Sequence, residues 1–332
     1  MWGRIAEMLK RAWRPMVATD LVFRLFAFAV LTPAVGLLFR GSLAFSGDPV
    51  LADTDIIRFL LHPVGILSLI LVAGAIIAVS ALELSALMAI ALADGRGESL
   101  GVVPALRFTA TKIHGIFFLT ARIVAVVLLV AAPFLAVGFA IFWTLLTEHD
   151  INFYLKTHPP VFWVASGLIG VVLLALIAVL LRLTVGWLLA VPLHLFADTP
   201  PGECLARSRA ATSGHGRTIA AAVIVWLVLI QIASFVLAAA VVGFGRLVVP
   251  WATGGVWALA AAVGIILVAW FVTRLAVSVA GYVTFAALVA SCFEQWVDAG
   301  EYRIPQQSPS ESRFAMRMTA GRLLAAAAIA AV

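Results

Sequence analysis

The chain has 332 residues, of which 64% are hydrophobic and only 11% are charged. A soluble domain is about 45–50% apolar, so this composition excludes an ordinary soluble globular protein and favours a polytopic α-helical membrane protein. The formal net charge is +6, but most lysines and arginines lie between apolar runs. This placement indicates membrane topology and predicts no nucleic-acid partner.

Residues 1–19 are expected to form an amphipathic helix in the lipid headgroup layer. Five apolar side chains recur at helical spacing, and charged residues fill the other side; the five are Trp2, Ile5, Leu9, Trp13 and Met16. A short solvated tail is the alternative. The apolar run that follows carries Arg24 and exceeds signal-peptide length, so we interpret it as a retained first crossing.

Six apolar runs are long enough to span a bilayer, which takes about 20 residues of helix. They predict crossings at about 20–39, 63–92, 116–146, 161–196, 218–242 and 256–292. The bundle is thus expected within 20–293, followed by a flexible polar linker over 294–322. Residues 323–332 look like the first half of a further crossing. The predicted fold class is an all-α transmembrane bundle of six to seven crossings.

Basic residues alternate between the connecting segments. Fourteen lysines and arginines lie in the N-terminal segment and in segments 94–115, 197–217 and 293–322, against four in the others. The positive-inside rule therefore places the N-terminus and these richer loops in the cytoplasm, with the protein in the cytoplasmic (inner) membrane. Completing the crossing that begins at 323 would deliver whatever follows to the outer face.

The three richer loops also resemble one another. In each, an aspartate at the helix exit is followed within a few residues by a Gly-Glu pair; the aspartates are Asp94, Asp198 and Asp298. The pattern suggests an internal repeat of two crossings plus one cytoplasmic loop, although glycine is common past helix ends and could match by chance. Basic side chains of the first two loops are predicted to contact anionic lipid headgroups, although topology alone would also place them there: Arg107, Lys112, Arg207, Arg209 and Arg217.

Charged residues within the predicted crossings are candidates for function, because charge in a bilayer is costly. Arg24 and Arg122 are near enough to helix ends to extend into the headgroups. Glu83 lies near half-depth, and Arg182 and Arg274 lie deep within a shared R-L-x-V pattern. We predict an intramembrane charge network of Glu83, Arg122, Arg182 and Arg274 in which Glu83 pairs with an arginine; a substrate or proton path is the alternative.

No catalytic or metal-binding motif is evident. The six histidines do not cluster, and no Walker loop, G-x-S-x-G or H-E-x-x-H sequence occurs. Cys204 and Cys292 stand apart without a C-x-x-C motif. The sequence therefore predicts no catalytic residue, no metal site and no cofactor within residues 1–332.

The order of features resembles the membrane domain found at the N-terminus of certain bacterial glycerophosphodiester phosphodiesterases. The resemblance covers nearly all of the chain and includes a P-x-G-I-L helix entry at 63–67, an E-L-S-A segment at 83–86, and the loop "PPGECLARSRAATSGHGR". It implies a downstream TIM-barrel domain that uses a divalent metal, carboxylates and two histidines. The His-Arg sequence that opens that domain's signature is absent here, so no catalytic residue can be transferred to this chain.

The resemblance implies a non-catalytic membrane domain that anchors a covalently linked, outward-facing phosphodiesterase domain expected after residue 332, and guides lipid-derived substrate to it. Its partners would be the bilayer and that domain. Two alternatives remain open. One is a small-solute permease that uses Glu83 and the intramembrane arginines, and the other is a structural membrane protein that recruits partners.

Overall fold

The computed structural model describes residues 2–33, 35–36, 40, 62–147, 151–252 and 255–297. Within these residues the regular structure is helical and no strand occurs. The α-helices are α1 (Trp2–Phe26), α2 (Pro63–Gly95), α3 (Val102–Thr111), α4 (Ile113–Leu145), α5 (Ile151–Thr157), α6 (Pro160–Trp187), α7 (Ala190–Phe196), α8 (Cys204–Thr212), α9 (Gly216–Val248) and α10 (Val256–Trp296). A π-helical turn (Ala27–Leu31) continues α1, and a 3₁₀ turn (Val249–Ala252) follows α9.

Five helical segments of the described chain are long and apolar enough to cross a membrane. They are α2, α4, α6 together with α7, α9 and α10, with hydropathies of 2.3–2.9. The predicted all-α polytopic bundle is confirmed. The expected first crossing is not among the five, because α1 carries Asp20 and Arg24 and most of 32–61 lies outside the described residues. The start of a seventh crossing at 323–332 lies wholly outside them.

Helix α1 joins two segments that the sequence analysis separates. It runs unbroken across residues 19 and 20, so the amphipathic N-terminus and the start of the predicted first crossing form one helix. Its apolar face is buried against α2 and α10 through Ile5, Met8, Ala12 and Met16. Trp2 and Trp13 remain exposed. The placement of this segment in the headgroup layer stays a prediction.

The protein core lies at one end of the bundle. Residues 86–93 of α2 and 286–293 of α10 are buried almost completely, together with most of α7. Many of these residues are alanines, which let helix backbones approach closely. The other halves of the long helices expose large apolar side chains, such as Leu129 at 74% and Phe235 at 76%. Such apolar surface is suited to contact with lipid tails rather than water.

Helices α6 and α7 are separated by a break at Leu188 and Leu189. Pro192 explains it, because proline lacks the N–H that would bond the carbonyl of Leu188. The break turns the chain into α8, a short helix that folds back beside the end of α6. Ser208 of α8 donates its hydroxyl hydrogen to the Gly186 carbonyl at 2.8 Å. A polar loop is thereby held next to the last turn of a spanning helix.

Candidate functional site

A buried ion pair joins α1 to the bundle. Asp20 and Arg24 are four residues apart and therefore lie on one face of α1. Arg24 Nε donates to Asp20 Oδ2 at 2.5 Å, and Arg24 Nη2 donates to Oδ1 at 3.2 Å. Nη2 also donates to Ser278 Oγ at 3.0 Å, and the guanidinium lies 5.6 Å from the centre of the Tyr282 ring. Asp20 itself is fully buried.

Glu83 of α2 completes this group, which we call the charge cluster (Asp20, Arg24, Glu83). Glu83 is 7% exposed, lies against the Asp20 carboxyl, and interacts with the charge of Arg24. Its Oε1 has no hydrogen-bond partner in the structure. Arg24 is thus the arginine whose charge acts on Glu83, while its direct ion pair is with Asp20. Sequence reasoning had set Arg24 aside and had missed Asp20, although the Asp20–Arg24 spacing signals an i,i+4 pair.

A cavity of about 800 Å³ opens beside the charge cluster, between α1, α9 and α10. We call it the α10 cavity. Arg24 and Arg274 line it together with four polar residues and several apolar ones; the polar four are Gln231, Ser234, Ser278 and Tyr282. Arg274 is exposed and has no recorded hydrogen-bond or ion-pair partner in the described part of the chain. The cavity therefore presents a cationic group within a spanning segment.

A second cavity of about 730 Å³ lies between α6, α8 and α9. We call it the arginine cleft. Arg182, Arg209 and Arg217 line it, and no acidic residue does. The Arg209 guanidinium is 5.1 Å from the centre of the Trp187 ring, a cation–π geometry. The structure thus brings Arg182, predicted as part of a charge network, together with two arginines predicted to contact headgroups.

The two R-L-x-V segments occupy related positions. In each, the arginine, the leucine and the valine line a cavity, and α9 forms another wall of both. The first segment is 182–185 in α6 and the second is 274–277 in α10. This arrangement is what a repeated structural unit would produce, and it was visible in the sequence only as a short pattern.

The other predicted residues tie the two described loops together. Lys112 forms an ion pair with Asp198, and Arg122 donates from Nη1 to the Gly202 carbonyl. Arg207 Nη1 donates to Thr199 Oγ1 at 3.1 Å within the second loop. Phe108 of α3 and Phe196 of α7 stack with their ring centres 5.6 Å apart. Arg107 is exposed on α3. Arg122 and Lys112 therefore join loops rather than the charge cluster.

No group of three or more His, Cys, Asp or Glu residues that could hold a metal ion occurs in the described ranges. Cys204 is buried on α8, and this burial raises the pKa of its thiol to about 11. His194 is also buried, and its Nδ1 lies 2.9 Å from the Thr199 carbonyl. Neither residue has the exposed, activated setting of a nucleophile or general base.

A family model described as "Membrane domain of glycerophosphoryl diester phosphodiesterase" matches residues 3–330. The chain belongs to this family. Comparison with curated proteins and with solved structures gave no match. The family assignment confirms the resemblance drawn from the P-x-G-I-L and E-L-S-A segments. With five apolar helices of spanning length among the residues that the structure describes, this phosphodiesterase membrane domain is a multi-pass membrane protein.

Proposed function

We propose that this membrane domain anchors a glycerophosphodiester phosphodiesterase catalytic domain and guides lipid-derived substrate to it. The observation that carries the proposal is the family match over residues 3–330. In this proposal the catalytic domain is covalently linked after the bundle and faces outward, and it supplies the divalent metal and the catalytic residues. The membrane domain lies in the cytoplasmic membrane with its N-terminus in the cytoplasm, as the distribution of lysine and arginine favours.

The α10 cavity supports the guiding role. Its Arg274 lies 22 residues before the end of α10, about 33 Å at 1.5 Å per residue. A guanidinium at that depth is costly without an anionic or polar partner. A glycerophosphodiester carries a phosphate anion and hydroxyl groups, which Arg274, Gln231 and Ser234 could bind. The apolar part of the lining suits an attached acyl chain.

The test uses the full-length protein and two substrates with the same phosphodiester bond. One is a lysophospholipid in vesicles, and the other is water-soluble glycerophosphocholine. We expect Arg274→Gln to raise KM for the vesicle substrate by about tenfold, the effect of losing one charged hydrogen bond, and to leave kcat/KM for the soluble substrate unchanged. Arg246→Gln, an exposed arginine of α9 outside the cavity lining, is the matched control. Equal KM values for the vesicle substrate in the unmodified protein, Arg274→Gln and Arg246→Gln would contradict the proposal that the membrane domain guides substrate.

The permease alternative predicts a different result from the same variant. The 332-residue chain reconstituted in vesicles would then take up a small solute, and Arg274→Gln or Glu83→Gln would abolish that uptake while the protein remained folded. Uptake with no phosphodiesterase activity in the full-length protein would reject the anchoring proposal.

A further inference from the structure

We propose that the arginine cleft is a binding site for the phosphate group of a phosphodiester, held by Arg182, Arg209 and Arg217. The site is separate from the α10 cavity and requires no catalytic domain. It is therefore a property of the 332-residue chain itself, and it can hold or fail independently of the proposed anchoring function.

The arginine cleft is part of the folded structure, because buried residues and a hydrogen bond hold α8 beside α6. Cys204, Leu205 and Ser208 are buried on the inner face of α8, and Ser208 is hydrogen-bonded to Gly186. Gly186 lies one helical turn from Arg182, so the polar α8 reaches the level of that arginine. Arg182, although deep in a spanning helix, therefore lies next to the polar helix α8 rather than next to hydrocarbon.

Arg209 contacts an aromatic ring, and Arg217 lies at the start of a helix. The Arg209 guanidinium lies over the Trp187 ring, in a cation–π geometry that stabilises this position. A Cβ at Gly186 would lie 3.4 Å from Arg209 Cγ, in ordinary van der Waals contact, so the stem of Arg209 packs directly over α6 at this residue. Arg217 follows Gly216 in the first turn of α9, where the helix dipole also favours an anion.

Within the described residues, no carboxylate neutralises the charge of the cleft. Its lining includes no Asp or Glu, and none of the three arginines has a described ion pair with a carboxylate. Arg182, Arg209 and Arg217, all exposed, line one cleft, and like charges that share a cleft repel one another. An anion relieves this repulsion, and the planar donor pairs of arginine match phosphate oxygens particularly well.

The shape of the cleft indicates a ligand with an apolar part beside the phosphate. Val179, Leu181 and Ile224 line the side towards the spanning halves of α6 and α9, and Thr212 and Ser213 line the side towards α8. The volume of about 730 Å³ accommodates a headgroup with its glycerol. A phospholipid headgroup and a soluble phosphodiester share this chemistry, and the experiment separates the two sources.

The experiment measures the affinity of the purified 332-residue chain, in a neutral detergent, for dioctanoyl phosphatidylglycerol by microscale thermophoresis. We expect Arg182→Gln and Arg217→Gln each to raise Kd by about tenfold, since each removes a charge-assisted hydrogen bond. Arg182→Lys should lie between Arg182→Gln and the unmodified protein, because lysine keeps the charge but loses the paired donors. Arg246→Gln, at the far end of α9 from Arg217, is the matched control and should leave Kd within about twofold of the unmodified value.

Competition identifies the source of the ligand. If millimolar inorganic phosphate or glycerophosphocholine does not displace the lipid, the site is a lipid headgroup site; if either displaces it, the site also accepts soluble phosphate compounds. Both results support the inference. An equal loss of affinity in Arg246→Gln, or no loss in the cleft variants, overturns it by showing non-specific attraction. Arg217 is exposed at the start of α9, outside the middle of a spanning helix, so its variant keeps the test valid if Arg182→Gln fails to fold.

Discussion

Replacing Arg24 with glutamine removes the cation from the charge cluster and leaves a carboxylate without its partner. Asp20 has 0% side-chain exposure and Arg24 has 25%. Breaking a fully buried ion pair costs about 3–5 kcal/mol. Because the Arg24 side chain is a quarter exposed, solvent screens part of the interaction, and we expect a lower value of about 2–3 kcal/mol in the free energy of unfolding.

The double variant Asp20→Asn with Arg24→Gln separates pairing from packing. Arg24 and Asp20 share two hydrogen bonds, and the two neutral amides of the double variant can keep one of them. We therefore expect the double variant to lose only about 1 kcal/mol in the free energy of unfolding, the usual net value of one neutral hydrogen bond. The coupling energy of the pair is the change in the free energy of unfolding for the double variant minus the sum of the changes for Asp20→Asn and Arg24→Gln alone. Unfolding in mixtures of dodecyl sulfate and dodecyl maltoside, followed by the fluorescence of the 10 tryptophans, measures each value.

Glu83→Gln provides the matched control, because Glu83 is buried like Asp20 and is the other carboxyl of the charge cluster. Its Oε1 has no hydrogen-bond partner among the described residues, and glutamine keeps the size of the side chain and one carbonyl oxygen. The neutral isostere should therefore change the free energy of unfolding by less than about 1 kcal/mol. Asp20→Asn should cost more than Glu83→Gln. The reasoning is refuted if Arg24→Gln and the double variant are equally unstable, or if Glu83→Gln is the more harmful carboxyl replacement.

Three other measurements test separate parts of the structure. Gly115→Ala should lower the free energy of unfolding by about 1–3 kcal/mol, because its Cβ would overlap the His194 ring, whereas Gly170→Ala, with open space around it, should cost nothing; equal stability of the two variants would contradict the packing of α4 against α7. Cys204 should react slowly with iodoacetamide at pH 8, since burial raises the pKa of its thiol to about 11, and mass spectrometry should find fast reaction only after denaturation. A fluorescent protein fused to the N-terminus should fluoresce and alkaline phosphatase fused there should stay inactive, and the opposite pair of results would reverse the proposed orientation.

The long helices were predictable because a bilayer allows few backbone conformations to span it. A backbone in hydrocarbon must satisfy its own hydrogen bonds, so an apolar run of sufficient length becomes a helix. The predicted crossing at 63–92 matches Pro63–Gly95 in the structure, and the one at 256–292 matches Val256–Trp296. Length and hydropathy alone carry this information. They give no information on helix neighbours, because alanine-rich faces pack against almost any partner.

The partner of Glu83 was accordingly not predictable from composition or depth. It depends on α1 packing against α2, which brings Asp20 and Arg24 to the level of Glu83. Part of the answer was present in the sequence as the i,i+4 spacing of Asp20 and Arg24. It was missed because Arg24 was treated alone, as a residue near a helix end.

The surroundings of Arg182 could not be predicted from the sequence, because they depend on a tertiary contact. Counted along α6 and α7, this arginine lies 14 residues before Phe196, a depth that predicts hydrocarbon around it. The break before Pro192 and the bond from Ser208 to Gly186 bring α8 alongside it. Only a fold-back of this kind places Arg182 with Arg209 and Arg217, residues of a different predicted class, in one cleft.

The anchoring proposal is tested most directly by deleting residues 1–332 from the full-length protein and measuring where phosphodiesterase activity sediments. We predict that the intact protein hydrolyses glycerophosphocholine in the membrane fraction, and that the truncated protein retains this activity in the soluble fraction. Activity that stays with the membrane after the deletion, or a full-length protein without phosphodiesterase activity, would contradict the proposal.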